Sequence, residues 1–255
     1  MHRLGLLMRV SFDSNAWEKI FDPADSNWTP IRAGLTKNQI EGFISEATFR
    51  IEAIRKTERA AYFSEPRMQV QFPLSVVERN GKPYVHFMTI GPDDAQHPGL
   101  PERQLAKLTS ALHANARIMR TASWLGLPSP PEIGDPALFA QTAYCDSERE
   151  QRQIDALARI EARGVGRAAF EAAGGWQGAG GAPLDEKRFR KACAEWADGE
   201  LVAAHIAYRN DILCTDDQGR AAGRSILDPT NRAWLTAEFG VQFATLDELL
   251  SQIRA

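Results

Sequence analysis

Leu6-Leu7-Met8-Arg9-Val10-Ser11-Phe12-Asp13-Ser14-Asn15 is the stretch whose reading decides the fold. A short run that is almost continuously apolar is the pattern of a strand buried on both faces, as in a parallel sheet covered by helices. It stops at a carboxylate, which places Asp13 at the rim of the sheet, where open α/β folds bind ligands. Far along the chain a second apolar run, Ile212-Leu213-Cys214, ends at Thr215-Asp216-Asp217 in the same way. Between them, Asp198 opens a helical stretch. Carboxylates from distant parts of the chain, gathered at one rim, make a site for hard cations.

Bulk composition sets the outer limits. At 255 residues, with 44% hydrophobic and 25% charged residues, the chain suits one large soluble domain or one domain carrying an insertion. No run is long and apolar enough to span a membrane, and the N-terminal apolar stretch has no small-residue cleavage site. Cys145, Cys193 and Cys214 are an odd number, widely spaced and without zinc-ligand spacing, so a reducing cytoplasm is expected. The formal net charge of −3 gives no general attraction to nucleic acid, so a polyanion needs a local basic patch or metal ions.

Working outward, residues 39–45 read as a second strand, with Ser45 as N-cap of a helix over 46–60. Residues 22–38 read as loop with a short helical turn. Alternating residues around Asn80-Gly81 predict a β-hairpin over about 67–91. The spacing of Leu105, Leu108, Leu112, Ile118 and Met119 predicts a helix over 102–125. An Arg- and Glu-rich helix spans 147–163, and the Gly-rich stretch 174–183, with Trp176, reads as a tether. One long or two consecutive helices cover 185–209, followed by a strand at 211–215. A helix at about 230–239 and a strand at 241–244 come next. Thr245-Leu246-Asp247-Glu248 has the form of a capping box opening the last helix.

These residues resemble those of the PIN-domain nucleases. Phe12-Asp13-Ser14-Asn15 looks like the family's opening Asp-x-Asn signature. Asp198-Gly199-Glu200-Leu201-Val202-Ala203-Ala204-His205 resembles its acidic residue followed by an Ala-rich helix. Asp211-Ile212-Leu213-Cys214-Thr215-Asp216-Asp217 resembles its strand leading into Thr-x-Asp. Gly240-Val241-Gln242-Phe243, leading into Thr245-Leu246-Asp247-Glu248, is similar to the closing strand and helix. The likeness covers residues 4–60 and 185–255 of a single domain spanning 1–255, with 61–184 as an insertion carrying the hairpin and helices. It implies a three-layer α/β/α fold with a mostly parallel sheet.

The resemblance further implies an Mg²⁺- or Mn²⁺-dependent endoribonuclease. Many such proteins are the toxin halves of toxin–antitoxin modules, which adds an antitoxin protein and a homodimer as expected partners beside RNA. Asp13, Asp198 and Asp217 would hold the ions, with Asp216 competing with Asp217 for the last place. One Glu of the 46–60 helix would complete the set: Glu46, nearer the rim, or Glu52. Asn15 and Thr215 are candidates to contact phosphate or to steady a carboxylate, and Arg50, Arg55, Lys56 and Arg59 to position the RNA backbone. A carboxylate set without Cys or His suits these cations rather than zinc, and phosphodiester cleavage uses them to activate water and offset phosphoryl charge. His205 reads as a structural histidine, and the Arg-rich helix as a solvated face with i,i+4 pairs. The rival reading is a nucleic-acid-binding or scaffold protein that keeps the fold without catalysis.

Overall fold

The structure is a computed structural model that describes residues 7–64, 68–71, 76–79, 82–85, 89–92, 97–121, 142–143, 147–175, 185–219 and 225–254. Cys145, Trp176 and the Asn80-Gly81 turn lie outside the described residues. The first strand, β1 (Met8–Phe12), lies inside a six-stranded sheet with β2 (Ile40–Ser45), β7 (Arg117–Met119), β8 (Thr142–Ala143), β9 (Ile212–Cys214) and β10 (Gln242–Ala244). The order is β10-β9-β1-β2-β7-β8, and every pairing is parallel.

Helices cover both faces, which is why β9 reads as a continuous apolar run and β1 as one broken only by Arg9 and Ser11. Val10, Phe12, Ile40, Ile44, Ile212 and Cys214 point to one side. There they meet α1 (Ser14–Ile20), α2 (Thr29–Thr36), α4 (Glu102–His113) and α9 (Leu246–Arg254) through Trp17, Ile31, Leu35, Leu108, Leu112 and Leu249. Phe43, Met119 and Leu213 point to the other side. They meet α5 (Ser147–Ala162), α7 (Glu186–Tyr208) and α8 (Pro229–Phe239). The protein is therefore a three-layer α/β/α structure. Packing is tight at Gly42 on β2: a Cβ there would sit 2.5 Å from the Leu35 side chain and 2.9 Å from Phe12.

A third apolar cluster closes one end. It joins Ala47, Ile51 and Ile54 to Tyr62 and Phe63 of α3 (Arg59–Ser64), Phe170 of α6 (Arg167–Ala172), and Phe189, Cys193 and Trp196 of α7. Gly199 lets α7 approach the α5–α6 turn, because its Cβ would come within 2.8 Å of the Gly166 Cα.

Several sequence expectations need correction. The 46–60 segment is not one regular helix. After Ser45 the chain makes a five-residue π-helical turn, Thr48–Glu52, with Ala53 N–H donating to the Thr48 carbonyl at 3.1 Å, and α3 starts afresh at Arg59. The helix expected to reach 125 stops at His113. Asn115 takes a left-handed φ of 68°, and Ile118 and Met119 then enter the sheet beside Ile44 and Ser45 of β2. Asp198 does not open a helix. It sits inside α7, a single 23-residue helix whose N-cap is Asp185. The 22–38 segment contains an eight-residue helix, α2.

The expected insertion, 61–184, belongs only in part outside the core. β3 (Met68–Gln71) with β6 (Thr89–Pro92), and β4 (Val76–Arg79) with β5 (Lys82–Val85), are antiparallel pairs forming their own small sheets. Arg79 pairs with Lys82. β7, β8, α4 and α5, by contrast, help build the main sheet and its two cores. The capping box forms as read: Thr245 N–H donates to Glu248 Oε2 at 2.7 Å, and Glu248 N–H to Thr245 Oγ1 at 3.3 Å. Among the described residues no helix is long and apolar enough to cross a membrane.

Candidate functional site

From β1 the sheet extends one way to β2 and the other way to β9, so the strand order reverses at β1. Connections leaving the carboxyl ends of strands at such a point diverge and open a crevice. β1 delivers Asp13 to that crevice, and β9 delivers Thr215, Asp216 and Asp217. The Asp13 N–H still donates to the Cys214 carbonyl at 3.0 Å, so its side chain stands at the rim on a fixed backbone.

Asp13 is buried and closely held. Its Oδ2 accepts hydrogen bonds from Thr215 Oγ1 and Asn15 Nδ2, each at 2.7 Å, and its Oδ1 accepts the Ser14 N–H at 2.6 Å. It is thus both a rim carboxylate and the N-cap of α1. Burial pushes its pKa up, against the lowering effect of Thr215 and Ser14, and the Asp217 charge pushes it further up. Asn15 and Thr215 orient Asp13: Asn15 Oδ1 also accepts the Asp216 N–H at 3.1 Å, which ties the β1 and β9 loops together.

Three more carboxylates share this field. Asp198 projects from the middle of α7. Burial raises its pKa well above the ordinary carboxylate range, and Asp13, Glu52, Glu195 and Asp217 add to the rise. Its carboxylate accepts no hydrogen bond among the described residues. Glu52, at the end of the π-helical turn, is pushed up to about 7 by burial and by Asp13, with Arg59 opposing. Its Oε1 accepts from Ser14 Oγ at 3.3 Å. Asp217 is exposed on the β9 loop, where its Oδ1 accepts the Gly219 N–H at 2.8 Å. Gly219 itself turns at φ +62°, with the Asp228 backbone where a Cβ would go.

Other candidates stand elsewhere. Glu46 is committed to Arg50, at 2.8 Å, and to the Thr121 N–H, at 3.1 Å. The π-helical turn, rather than the strand end, therefore supplies the Glu. Asp216 faces away from Asp217, as adjacent residues leaving a strand do. It pairs with Lys19 Nζ at 2.6 Å and accepts the Leu246 N–H at 3.1 Å, so it docks α9 instead of joining the rim. Arg50 is spent on Glu46, and Arg55 is exposed beside Glu58 at 3.6 Å. His205 is buried, lies 3.0 Å from Ser11 Oγ, and is pushed down to about 3 by burial, in keeping with a structural histidine.

Three further residues join the site: Ser14 and Arg232, to which sequence reasoning gave no role, and Arg59, which it read as a phosphate-positioning candidate. Ser14 bridges Asp13 and Glu52, and it lay inside the quoted Asp-Ser-Asn stretch. Arg59 is buried, with Nε donating to the Ile54 carbonyl at 2.9 Å and Nη2 to the Glu52 carbonyl at 3.1 Å. Arg232 of α8 donates Nη2 to the Asp217 carbonyl and Nε to the Leu227 carbonyl, and its guanidinium lies 4.6 Å from the Phe243 ring centre. No local sequence pattern marks it.

The rim thus carries the carboxylates of Asp13, Glu52, Asp198 and Asp217, and the guanidiniums of Arg59 and Arg232 offset only part of that charge. The donors are all oxygen, which suits a hard cation. Among the described residues, no group of three or more His, Cys, Asp or Glu side chains is placed to ligate a metal ion directly. Mg²⁺ keeps several of its waters, so carboxylates set wider than direct ligation still fit it.

Crowded buried acids make stability pH-dependent. Glu52, and Glu200 on α7, ionise near 4.5 in the unfolded chain and at about 7 in the folded one. The folded state therefore holds more protons between those values. The contribution is fully present below about 4.5 and is lost as pH rises through 7. Without divalent ions, the urea midpoint should be higher at pH 5 than at pH 8. Glu200→Gln, a neutral side chain of similar shape, should flatten that slope and raise the midpoint at pH 8. An unchanged slope would remove Glu200 from the account.

In comparisons with known proteins, the chain matches no protein-family model, no curated protein and no solved structure.

Proposed function

We propose that this protein is a divalent-metal-dependent endoribonuclease acting at the crevice beside β1. One observation carries the reading: Asp13, Glu52, Asp198 and Asp217, drawn from four separate segments, meet at the topological switch point, where the charges of Asp13, Glu52 and Asp217 add to burial in raising the Asp198 pKa. Self-repelling buried carboxylates destabilise a fold unless a cation or shared protons relieve them. Sites of this kind are where function is found more often than chance. An Mg²⁺ or Mn²⁺ ion held there by Asp13, Asp198 and Asp217, with Glu52 beside it, would supply an activated water and neutralise phosphoryl charge.

The chain's own residues contribute orientation. Thr215, Asn15 and Ser14 fix the Asp13 carboxylate in one pose, so no reorganisation is needed when substrate arrives. Arg232 clamps the Asp217 loop to α8. Arg59 holds the π-helical turn through the Glu52 carbonyl.

Relief of repulsion gives a direct test. A cation that binds only the folded state at about a hundred times its Kd adds about 2.7 kcal/mol, or roughly 5–10 °C in Tm for a chain of this size. Titrating Mn²⁺ or Mg²⁺ into metal-free protein should give that rise, and a flat Tm at millimolar ion counts against the site. Cleavage of single-stranded RNA should require the same ion and disappear with EDTA.

A second reading, a non-catalytic nucleic-acid-binding protein, draws on the absence of a ready three-residue ligand group among the described residues. RNA binding with no cleavage at any Mn²⁺ concentration would favour it.

A further inference from the structure

We propose that the groove between α6 and the first half of α7 holds the phosphodiester backbone of single-stranded RNA a few nucleotides from the carboxylate rim. The inference rests on the nuclease reading of that rim and assigns where the rest of the strand lies.

The groove has a volume of about 430 Å³. Ala169, Ala172 and Ala173 form its α6 wall, and these small side chains leave it wide. Lys187, Arg188 and Lys191 form its α7 wall, and all three are exposed. Arg188 is fixed across the groove by donating Nη2 to the Ala172 carbonyl at 3.0 Å. Two acids also line it. Asp185 caps α7 by accepting the Arg188 N–H at 3.0 Å. Glu195 turns its Oε1 to the Gly166 and Ile226 N–H groups, at 3.1 and 2.7 Å. Three cationic groups thus line the groove against two acids, each held by backbone N–H groups, on a chain whose overall charge is −3.

Position along α7 links groove and site. With 3.6 residues per turn, positions 187, 191 and 198 fall on one face of the helix. At 1.5 Å per residue, Lys191 lies about 10 Å and Lys187 about 16 Å from Asp198 along the axis. Glu195, at the inner end of the groove, stands one helical turn before Asp198 on α7. A strand whose scissile phosphate sits at Asp198 can run along α7, with later phosphates meeting Lys191 and Lys187. Sequence-independent binding of this kind draws its affinity from phosphate–cation contacts and is steeply salt-dependent.

The test is anisotropy of a labelled single-stranded RNA of about twelve nucleotides, a length within common single-strand site sizes. It uses full-length Asp198→Asn protein with Mg²⁺, so that binding is read without cleavage. Adding Lys187→Ala and Lys191→Ala should weaken binding about tenfold. It should also make the log K against log salt slope shallower by about 1.4, from two lost phosphate contacts. Lys187→Arg with Lys191→Arg should keep both affinity and slope, and the Tm should not move in either variant. An alanine pair with unchanged affinity and slope overturns the groove assignment. Equal displacement of the RNA by poly-glutamate of matched charge overturns it in favour of an acidic protein partner. Cleavage by the protein with its native Asp198 is measured alongside. Cleavage with lysine-independent binding sinks the groove alone, whereas lysine-dependent binding with no cleavage sinks the nuclease reading alone.

Discussion

Asp198→Asn protein is expected to lose about a thousandfold in RNA cleavage and, when metal-free, to melt above the wild type at neutral pH. The two effects share a cause. The Asp198 carboxylate is half-buried, feels the charges of Asp13, Glu52, Glu195 and Asp217, and accepts no hydrogen bond among the described residues. Neutralising it removes repulsion at almost no steric cost, and no polar partner is orphaned. A metal ligand supplies several kcal/mol of charge stabilisation in the transition state, and about 4 kcal/mol corresponds to a thousandfold. Asp13→Asn should cost a similar factor in cleavage without the gain in stability. Its two oxygens accept bonds from Ser14, Asn15 and Thr215, and an amide can satisfy only one side of that set. Cleavage rates with Mn²⁺, and Tm values in EDTA, check both variants. An Asp198→Asn protein that cuts RNA normally would end the assignment of this rim as catalytic.

Trp196→Ala should be the most destabilising of the changes considered, at about 3–5 kcal/mol. Trp196 is fully buried, with its ring centre 4.5 Å from Phe170 and 6.1 Å from Phe63. Its Nε1 donates to Glu200 Oε1 at 3.3 Å, while Glu200 Oε2 has no hydrogen-bond partner among the described residues. Truncation opens a cavity and leaves a buried acid unsupported, and a domain has only about 5–15 kcal/mol to lose. The same cluster holds Ile51 and Ile54 on either side of Glu52, so the π-helical turn should loosen as well. Trp196→Phe should cost less than half as much. Urea midpoints give the stabilities, and the Mn²⁺-induced Tm shift should shrink in the alanine variant. A midpoint within 1 kcal/mol of wild type would mean that this end of the molecule repacks freely.

The parts of the fold that were legible in the sequence are those where one physical pattern had no competitor. β1 and β9 are sandwiched by helices, so their runs are apolar but for Arg9 and Ser11, and both end at Asp-bearing loops because the chain must leave the sheet there. The closing helix announced itself through Thr245 and Glu248. β7 was hidden. Only three residues long, its Ile118 and Met119 also fit the phase of the preceding helix, and the break falls at Asn115 without Gly or Pro to flag it. The π-helical turn was hidden for a related reason: Thr48 to Glu52 carries no signal separating five-residue from four-residue hydrogen bonding, and that difference decides whether Glu46 or Glu52 reaches Asp13. Asp198 beside Gly199 imitates a helix start, yet the glycine is there for its contact with Gly166. Arg232 joins the site only through tertiary packing, which no window of sequence contains.

The pairing of β1 with β9 carries a lesson about the order of assembly. Val10 lies beside Ile212, two hundred residues away. On a translating ribosome β1 emerges well before β9, and the flank of it that β9 will cover stays open in between. An exposed flank of that kind invites mispairing, and contacts between distant segments slow folding. Until β9 arrives, Thr215 is not at hand to grip Asp13. The crevice that holds Asp13, Thr215 and Asp217 is thus assembled only after β9 has been made.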